Sequence, residues 1–265
     1  MQTILRDFKE KKSTQKISIV TCYDYSFATI LSESDIDCIL VGDSLGMVIQ
    51  GYNSTLPVTL DEMIYHTKAV KRGSGKKWVV CDLPFLSYQI SIEQCIESCG
   101  RVLKETNCDA VKIEGADEIL LEAIHRMQKI GIPVMGHLGL TPQSFQVLGG
   151  FRVQGKDESS AKQIYEDAKA LEKAGVFSIV LEMLPESLGK KISESITANT
   201  IGIGAGKFTD GQVLVLQDLL GMNKNFNPKF LKKYADLSRI ISESINQYNK
   251  EVKEELFPNS ETTFL

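Results

Sequence analysis

Short apolar runs alternate with longer amphipathic stretches along the chain, and this alternation most restricts what the chain can fold into. Eight runs can be counted, each with the length and composition of a buried parallel strand. Segments of helical periodicity lie between most of them. A repeated strand–helix order indicates a parallel sheet covered by helices. The runs are Ile17–Cys22, Cys38–Val41, Trp78–Cys81, Ala110–Ile113, Pro133–Met135, Phe177–Leu181, Thr200–Ile203 and Val213–Leu216.

The number of runs favours a closed (β/α)8 TIM barrel. A doubly wound open sheet is the alternative, but such sheets usually have about five or six strands. A length of 265 residues suits one barrel. No linker or composition break divides the chain, so we predict a single (β/α)8 barrel domain over residues 1–265. Two connections, Ser44–Thr59 and Gly139–Ser160, are long, and long ordered loops are usually functional.

Composition excludes several classes of protein. Charged residues make up 24% of the chain and the formal net charge is −4, without a basic cluster, which argues against a nucleic-acid partner. The N-terminus lacks the apolar core of a signal peptide, and no apolar run approaches the roughly 18 residues of a membrane span. None of the six cysteines forms a CxxC pair, so a zinc site is disfavoured. We expect a protein of the reducing cytoplasm, without a membrane partner.

Acidic residues follow three successive strand-like runs. Asp43, Asp82 and Glu114 come at or just after the ends of the second, third and fourth runs. Active sites of such barrels lie at the C-terminal ends of the strands, which are about 4.8 Å apart. Carboxylates at such short distances repel one another unless a cation lies between them. Oxygen ligands suit Mg²⁺ or Mn²⁺. The alternative is that Asp43 and Asp82 cap helix N-termini.

Three further polar residues belong to the same predicted barrel mouth. Lys112 precedes Glu114 by two positions and so faces the same side of the strand, where it forms a salt bridge or meets an anionic substrate. Glu182 directly follows the sixth run, two strands beyond Glu114. It is a candidate general base, or else it pairs with a loop Lys or Arg. His137 orients substrate, relays a proton or is structural.

Longer stretches of this sequence resemble a known family. They follow in fixed order nearly end to end, so their match is far more specific than a short motif. The chain closely resembles the ketopantoate hydroxymethyltransferase family. The stretches include Thr21-Cys22-Tyr23-Asp24-Tyr25-Ser26, Val41-Gly42-Asp43-Ser44-Leu45-Gly46-Met47, Asp82-Leu83-Pro84-Phe85, Val111-Lys112-Ile113-Glu114-Gly115, Gly136-His137-Leu138-Gly139-Leu140-Thr141-Pro142-Gln143-Ser144 and Ile201-Gly202-Ile203-Gly204-Ala205-Gly206.

The resemblance implies an activity and a set of partners. It implies a barrel of the phosphoenolpyruvate/pyruvate superfamily that binds Mg²⁺ and assembles as a homodecamer, a pentamer of dimers. It implies transfer of a hydroxymethyl group from 5,10-methylenetetrahydrofolate to 3-methyl-2-oxobutanoate, which gives ketopantoate (2-dehydropantoate) and tetrahydrofolate in the first step of pantothenate synthesis.

The resemblance also assigns site residues by position. Asp43, Asp82 and Glu114 match the metal positions of the family. Asp43, Ser44, Asp82 and Lys112 match the positions that contact the keto acid. Glu182 matches the proton acceptor.

Two other interpretations remain at this point. A Mg²⁺-dependent carbon–carbon lyase acting on a 2-oxo acid would share the three acidic residues. Relatives of that kind usually carry a catalytic cysteine in a lid loop, and no loop cysteine here fits. A catalytically inactive barrel that serves as a scaffold is the other interpretation, but such a barrel has no reason to keep a costly cluster of acids at its strand ends.

Overall fold

A computed structural model describes residues 3–12, 14–150 and 152–264 of the chain. The chain divides into two compact units, residues 1–214 and 215–265. The single domain over residues 1–265 stays a prediction. In the first unit eight parallel strands form a closed barrel in chain order, which confirms the (β/α)8 prediction over the open sheet. The strands are β1 Ile17–Thr21, β2 Cys38–Val41, β3 Trp78–Asp82, β4 Ala110–Glu114, β5 Val134–Gly139, β6 Ser178–Glu182, β7 Asn199–Ile203 and β8 Gly211–Leu214.

Most helices of the first unit start at a residue whose side chain accepts a hydrogen bond from the backbone of the first helical turn. Thr59 and Glu62 form a capping box at the start of α4. Ser91 caps α5 by accepting a hydrogen bond from the Gln94 amide. The helices are α1 Ile4–Lys11, α2 Tyr25–Ser32, α3 Leu45–Val48, α4 Leu60–Gly73, α5 Ile92–Thr106, α6 Glu118–Lys129, α7 Glu158–Ala174 and α8 Glu186–Ser195, with a 3-10 turn at Pro142–Ser144.

Strand boundaries differ from the apolar runs in a consistent direction. β3, β4 and β6 each continue to the acidic residue, so Asp82, Glu114 and Glu182 are the last residues of their strands. The prediction for β5 ended too early, at Met135. Gly136 and His137 interrupt the apolar run, but ladder pairing with β4 and β6 keeps the backbone extended to Gly139.

Apolar side chains from all sides fill the barrel interior. Ile19, Leu40, Val80, Met135 and Val180 are buried members of one core cluster, so the barrel is packed rather than open. The functional residues therefore lie above this core, at the carboxyl ends of the strands.

Helix α1 closes the opposite end of the barrel, a feature that we did not predict. Phe8 is fully buried in the core cluster and meets Phe177 edge-on, with ring centroids 5.2 Å apart. Lys11 pairs with Asp37 at 2.7 Å, just before β2, and Lys12 pairs with Asp210 at 2.6 Å, just before β8. These contacts attach α1 to the N-terminal ends of the strands.

Among residues 215–264 the second unit contains two helices, α9 (Leu216–Leu219) and α10 (Leu237–Lys253). The amphipathic sequence pattern runs over Lys229–Glu254, but helix α10 begins later, after Asp236, which accepts a hydrogen bond from the Arg239 amide. Large apolar side chains stand exposed along α10 with helical spacing: Ile240, Ile241, Ile245, Tyr248 and Val252. Within the described ranges, no helix combines the length and apolar character needed to cross a membrane.

Candidate active site

Three carboxylates lie buried at neighbouring strand ends. Asp43 follows β2, and Asp82 and Glu114 end β3 and β4; they are 3%, 2% and 7% exposed. Burial and the charges of Asp82 and Glu114 raise the pKa of Asp43 well above its usual range. The structure thus brings the three predicted residues together, close enough for their charges to interact.

Lys112 is paired with the middle carboxylate of this group. The β3–β4 register sets Lys112 opposite Asp82, and Lys112 Nζ lies 2.6 Å from both carboxylate oxygens. Although burial opposes the charged form, Asp82 and Glu114 raise the pKa of Lys112 above its usual range. The structure shows the salt bridge of Lys112, and its contact with an anionic substrate group, which is compatible with that salt bridge, stays a prediction.

Neither aspartate caps a helix, so that alternative was wrong. Ser91 is the N-cap of α5, and Asp82 instead pairs with Lys112. Ser44, not Asp43, is the N-cap of α3. Asp43 instead accepts a hydrogen bond from Gln143 Nε2 at 2.9 Å.

The charge balance of the cluster suits a bound cation. Burial raises the pKa of Asp82 although the Lys112 ammonium opposes the rise, and Glu114 Oε1 is buried without a hydrogen-bond partner. The three buried carboxylates and Glu182 face one ammonium and the imidazole of His137, so negative charge remains in excess. Hard oxygen donors with excess negative charge fit Mg²⁺.

Direct coordination by all three carboxylates has no support in the arrangement of the side chains. In the part of the chain that the structure describes, no group of three His, Cys, Asp or Glu side chains is placed to hold a metal ion. Mg²⁺ usually keeps several waters and takes one or two carboxylates. The donor chemistry therefore fits Mg²⁺, while the three-ligand assignment stays a prediction.

His137 connects this cluster to Glu182. Its Nδ1 lies 3.4 Å from Glu114 Oε1 and its Nε2 lies 3.2 Å from Glu182 Oε2. The register explains this, since His137 pairs with Glu114 and Gly139 pairs with Glu182. Burial and Lys112 oppose the charged imidazole, but the two glutamates outweigh them and raise the pKa of His137 to about 9.

Glu182 is therefore less isolated than the sequence suggested. We expected it to stand apart from the three acids or to pair with a loop Lys or Arg. Its ion-pair partner is instead His137, which also approaches Glu114. The carboxylate of Glu182 is more exposed than that of Glu114, with side-chain exposures of 17% and 3%.

Three residues to which the sequence patterns assigned no role also belong to the site. Tyr23 OH lies 2.9 Å from Ser44 Oγ and so orients that hydroxyl. Gln143 contacts both Asp43 and Glu114, and Tyr88 contacts Gln143. Tyr23 and Gln143 lie inside stretches that carry the family resemblance, but spacing alone could not show what they touch.

Comparison with known sequences gives a consistent result. A family model described as ketopantoate hydroxymethyltransferase matches residues 2–260. Relatives named 3-methyl-2-oxobutanoate hydroxymethyltransferase include one from Leptospira interrogans, 60% identical over 255 residues and covering 96% of both chains. One from Leptospira biflexa is 58% identical and covers 100% and 99%, and one from Syntrophus aciditrophicus is 52% identical and covers 96% and 93%.

Solved structures show the same fold at low sequence identity. A 2,3-dimethylmalate lyase, described as a PEP mutase/isocitrate lyase superfamily member, matches with a TM-score of 0.61 at 12% identity and covers 100% of this chain and 93% of its own. A phosphoenolpyruvate phosphomutase from Streptomyces platensis matches with a TM-score of 0.61 at 11% identity, with 95% and 87% covered. These likenesses concern the fold alone and agree with the closed (β/α)8 barrel.

Proposed function

Since the chain belongs to the ketopantoate hydroxymethyltransferase family, we propose that it transfers a hydroxymethyl group from 5,10-methylenetetrahydrofolate to 3-methyl-2-oxobutanoate. The products are ketopantoate and tetrahydrofolate, and the reaction is the first step of pantothenate synthesis. The enzyme is a hydroxymethyltransferase. One observation carries the choice of site: the side chains that the family resemblance assigns converge at one barrel mouth, namely Asp43, Asp82, Lys112, Glu114 and Glu182.

Asp43, Asp82 and Glu114 would hold Mg²⁺, directly or through water. When bound, this ion supplies Lewis acidity that polarises the keto oxygen of the substrate. The excess negative charge of the three buried carboxylates supports this assignment.

Glu182 acts in the proposal as the general base. Its carboxylate takes the proton from C3, the carbon next to the keto group of the keto acid. The resulting enolate attacks the methylene carbon carried by the folate; the bonds from this carbon to the folate nitrogens break, water supplies the hydroxyl group, and tetrahydrofolate leaves. His137 Nε2, 3.2 Å from Glu182 Oε2, fixes the direction of the carboxylate. A base must lie within hydrogen-bond reach of the proton that it removes, so this orientation matters for the rate.

Lys112 and Ser44 bind the acidic end of the substrate in the proposal. The Lys112 ammonium is held in place by Asp82 and balances the charge of the keto acid. Ser44 Oγ, oriented by Tyr23 OH, donates a hydrogen bond to the substrate carboxylate. Asp43 and Asp82 border the same position.

The lyase alternative is not retained. All six cysteines are buried free thiols, so none is presented on a loop for catalysis. Relatives that are 52–60% identical carry the hydroxymethyltransferase name, and the lyase-type structures match at 11–12% identity.

Self-association as a homodecamer and a cytoplasmic location complete the proposal. The apolar stripe along α10, with Ile241 and Ile245 exposed, supports burial of this helix against another copy of the chain. Free thiols support a reducing compartment. The chain mass is 29.4 kDa, so light scattering should give about 294 kDa for ten copies. A monomer mass would refute the assembly.

The activity itself can be tested directly. The purified protein with Mg²⁺, 3-methyl-2-oxobutanoate and methylenetetrahydrofolate should form ketopantoate, measured by mass spectrometry. The absence of product would refute the proposed function.

Replacing the base separates its role from the rest of the site. Glu182→Gln should lower kcat by about 10²- to 10⁴-fold, the usual contribution of general-base catalysis, and should slow deuterium exchange at C3 in NMR. The control Glu194→Gln changes an exposed glutamate on α8 and should be neutral. Unchanged C3 exchange in Glu182→Gln would rule out its role as the base.

A further inference from the structure

Gln143 occupies a buried position at the root of the long connection after β5. It is the middle residue of the 3-10 turn Pro142–Ser144 and is 6% exposed. The general mechanism proposed above gives it no part. A buried amide needs partners for its polar atoms, and the identity of those partners suggests a role.

The side-chain amide of Gln143 has all of its hydrogen-bonding positions filled. Nε2 donates to Asp43 Oδ2 at 2.9 Å and to the Leu83 carbonyl at 2.8 Å. Oε1 accepts from Tyr88 OH at 2.8 Å and from Gln89 Nε2 at 2.9 Å. Two donors and two lone pairs are the full capacity of an amide. Because both partners of Nε2 are acceptors, the amide has a single satisfied orientation.

The main chain of the same residue holds a second carboxylate. Gln143 N donates to Glu114 Oε2 at 3.1 Å. Tyr88 also connects the two residues, since its hydroxyl donates a hydrogen bond to Gln143 Oε1 and accepts one from the Glu114 backbone amide at 3.1 Å. One residue of the loop after β5 thus fixes two side chains that come from β4 and from the end of β2.

Gln143 contacts one oxygen of each of these carboxylates, Asp43 Oδ2 and Glu114 Oε2. The other oxygen of Glu114, Oε1, makes no hydrogen bond and faces His137 Nδ1 at 3.4 Å. Asp82 differs, because Lys112 contacts both of its oxygens. Gln143 therefore fixes the direction in which the Asp43 and Glu114 carboxylates point.

We propose that Gln143 is a positioning residue that holds one oxygen each of Asp43 and Glu114 and so fixes how both carboxylates face the cation. This inference rests on the Mg²⁺ site of the proposed function. A neutral amide suits this role, because an ammonium here would compete with the cation and a carboxylate would add repulsion. Gln143 acts through the two acids and touches no substrate.

The test compares metal binding by the full-length protein and two variants. Gln143→Met keeps the length of the side chain but loses its four hydrogen bonds, while the backbone N–H to Glu114 remains. Gln143→Glu keeps the shape and sets an oxygen against Asp43 Oδ2. Mn²⁺ serves as the probe, with free Mn²⁺ measured by electron paramagnetic resonance in the absence of substrate. Loss of an outer-shell partner typically weakens metal binding by about 10- to 100-fold, and we expect that range for both variants.

A matched control is available on the surface. Gln163 on α7 donates through Nε2 to Asp167 Oδ1 at 2.8 Å and is exposed. Gln163→Met and Gln163→Glu should leave Mn²⁺ affinity within about twofold of the unchanged protein, because distant surface charges are screened. A raised Mn²⁺ concentration should restore kcat of Gln143→Met, which a purely structural defect would not allow.

The possible outcomes separate this inference from the proposed function. If the unchanged protein binds no Mn²⁺, the metal site of the proposed function fails. If Asp43→Asn loses Mn²⁺ binding but a folded Gln143 variant keeps it, the site stands and the positioning role is wrong. If Gln143→Met does not fold, Gln143→Glu carries the measurement. Failure of both to fold, with both Gln163 variants folded, would make Gln143 a purely structural residue and overturn the inference.

Discussion

Replacing Lys112 with methionine should destabilise the metal-free protein strongly. Lys112 Nζ lies 2.6 Å from both oxygens of Asp82, and the two side chains are 4% and 3% exposed. Removing one partner of a buried ion pair typically costs about 3–5 kcal/mol, because the other charge stays buried alone. Total stabilities are about 5–15 kcal/mol. We therefore expect Lys112→Met to lose about 3–5 kcal/mol in free energy of unfolding at pH 8.

The loss of unfolding free energy in Lys112→Met should become smaller as the pH falls. Burial already raises the pKa of Asp82, and that of Asp43 lies well above its usual range. Without the ammonium both pKa values rise further. A carboxyl group whose pKa is raised in the folded state destabilises the fold most at a pH above that raised pKa, and the penalty shrinks as the pH falls towards the unfolded-state pKa. Acidification from pH 8 towards pH 6 should thus restore part of the lost stability.

Urea unfolding followed by circular dichroism would measure this effect at equal protein concentrations, first with EDTA and then with excess Mg²⁺. Mg²⁺ should recover part of the loss, because it replaces positive charge beside the three carboxylates. The control is Lys71→Met, whose partner Asp109 lies at 2.7 Å in a more exposed pair, 21% and 22% exposed. We expect about 0–1 kcal/mol there and no response to Mg²⁺. A Lys112 variant as stable as this control, or a deficit that grows on acidification, would refute the reasoning.

Two further changes test the edges of the site and of the fold. Tyr23→Phe removes the hydroxyl that lies 2.9 Å from Ser44 Oγ. Because a hydrogen bond contributes about 0.5–1.5 kcal/mol, KM for the keto acid should rise about 2- to 10-fold. Mn²⁺ affinity should stay unchanged. An unchanged KM would show that Ser44 needs no orientation. Phe8→Ala empties a fully buried position at the closed end of the barrel and should cost about 3–5 kcal/mol in urea unfolding without changing Mn²⁺ affinity of the folded protein. A loss below about 1 kcal/mol would mean that α1 does not contribute to the core.

The sequence was most informative where apolar patterning decides the structure. Eight buried runs predicted eight strands, and their acidic ends predicted a cluster at one mouth. Helix α1 was missed because Ile4 and Phe8 are its buried apolar residues, and their burial depends on a barrel that forms later in the chain. Local periodicity contains no information about such a distant surface.

The contacts that the site residues make with one another were harder to predict than the positions of those residues at the strand ends. The sequence could not decide which partner Lys112 contacts, a carboxylate or the substrate, because the register of β4 with β3 determines which side chain lies opposite it. His137 was undecided for the same reason, since its two glutamate neighbours come from β4 and β6. Gln143 lies on a loop, where no periodicity fixes the direction of a side chain.

Closure of the barrel links the beginning and the end of its synthesis. Lys12 pairs with Asp210, 198 residues later, and Ile17 in β1 pairs with Gly211 in β8. During translation the first strand therefore leaves the ribosome long before its second neighbour exists, and its outer edge stays unpaired until β8 emerges. Contacts this distant in sequence slow folding, and exposed strand edges favour aggregation. Nascent chains released before residue 211 should accordingly depend on chaperones far more than the finished protein does.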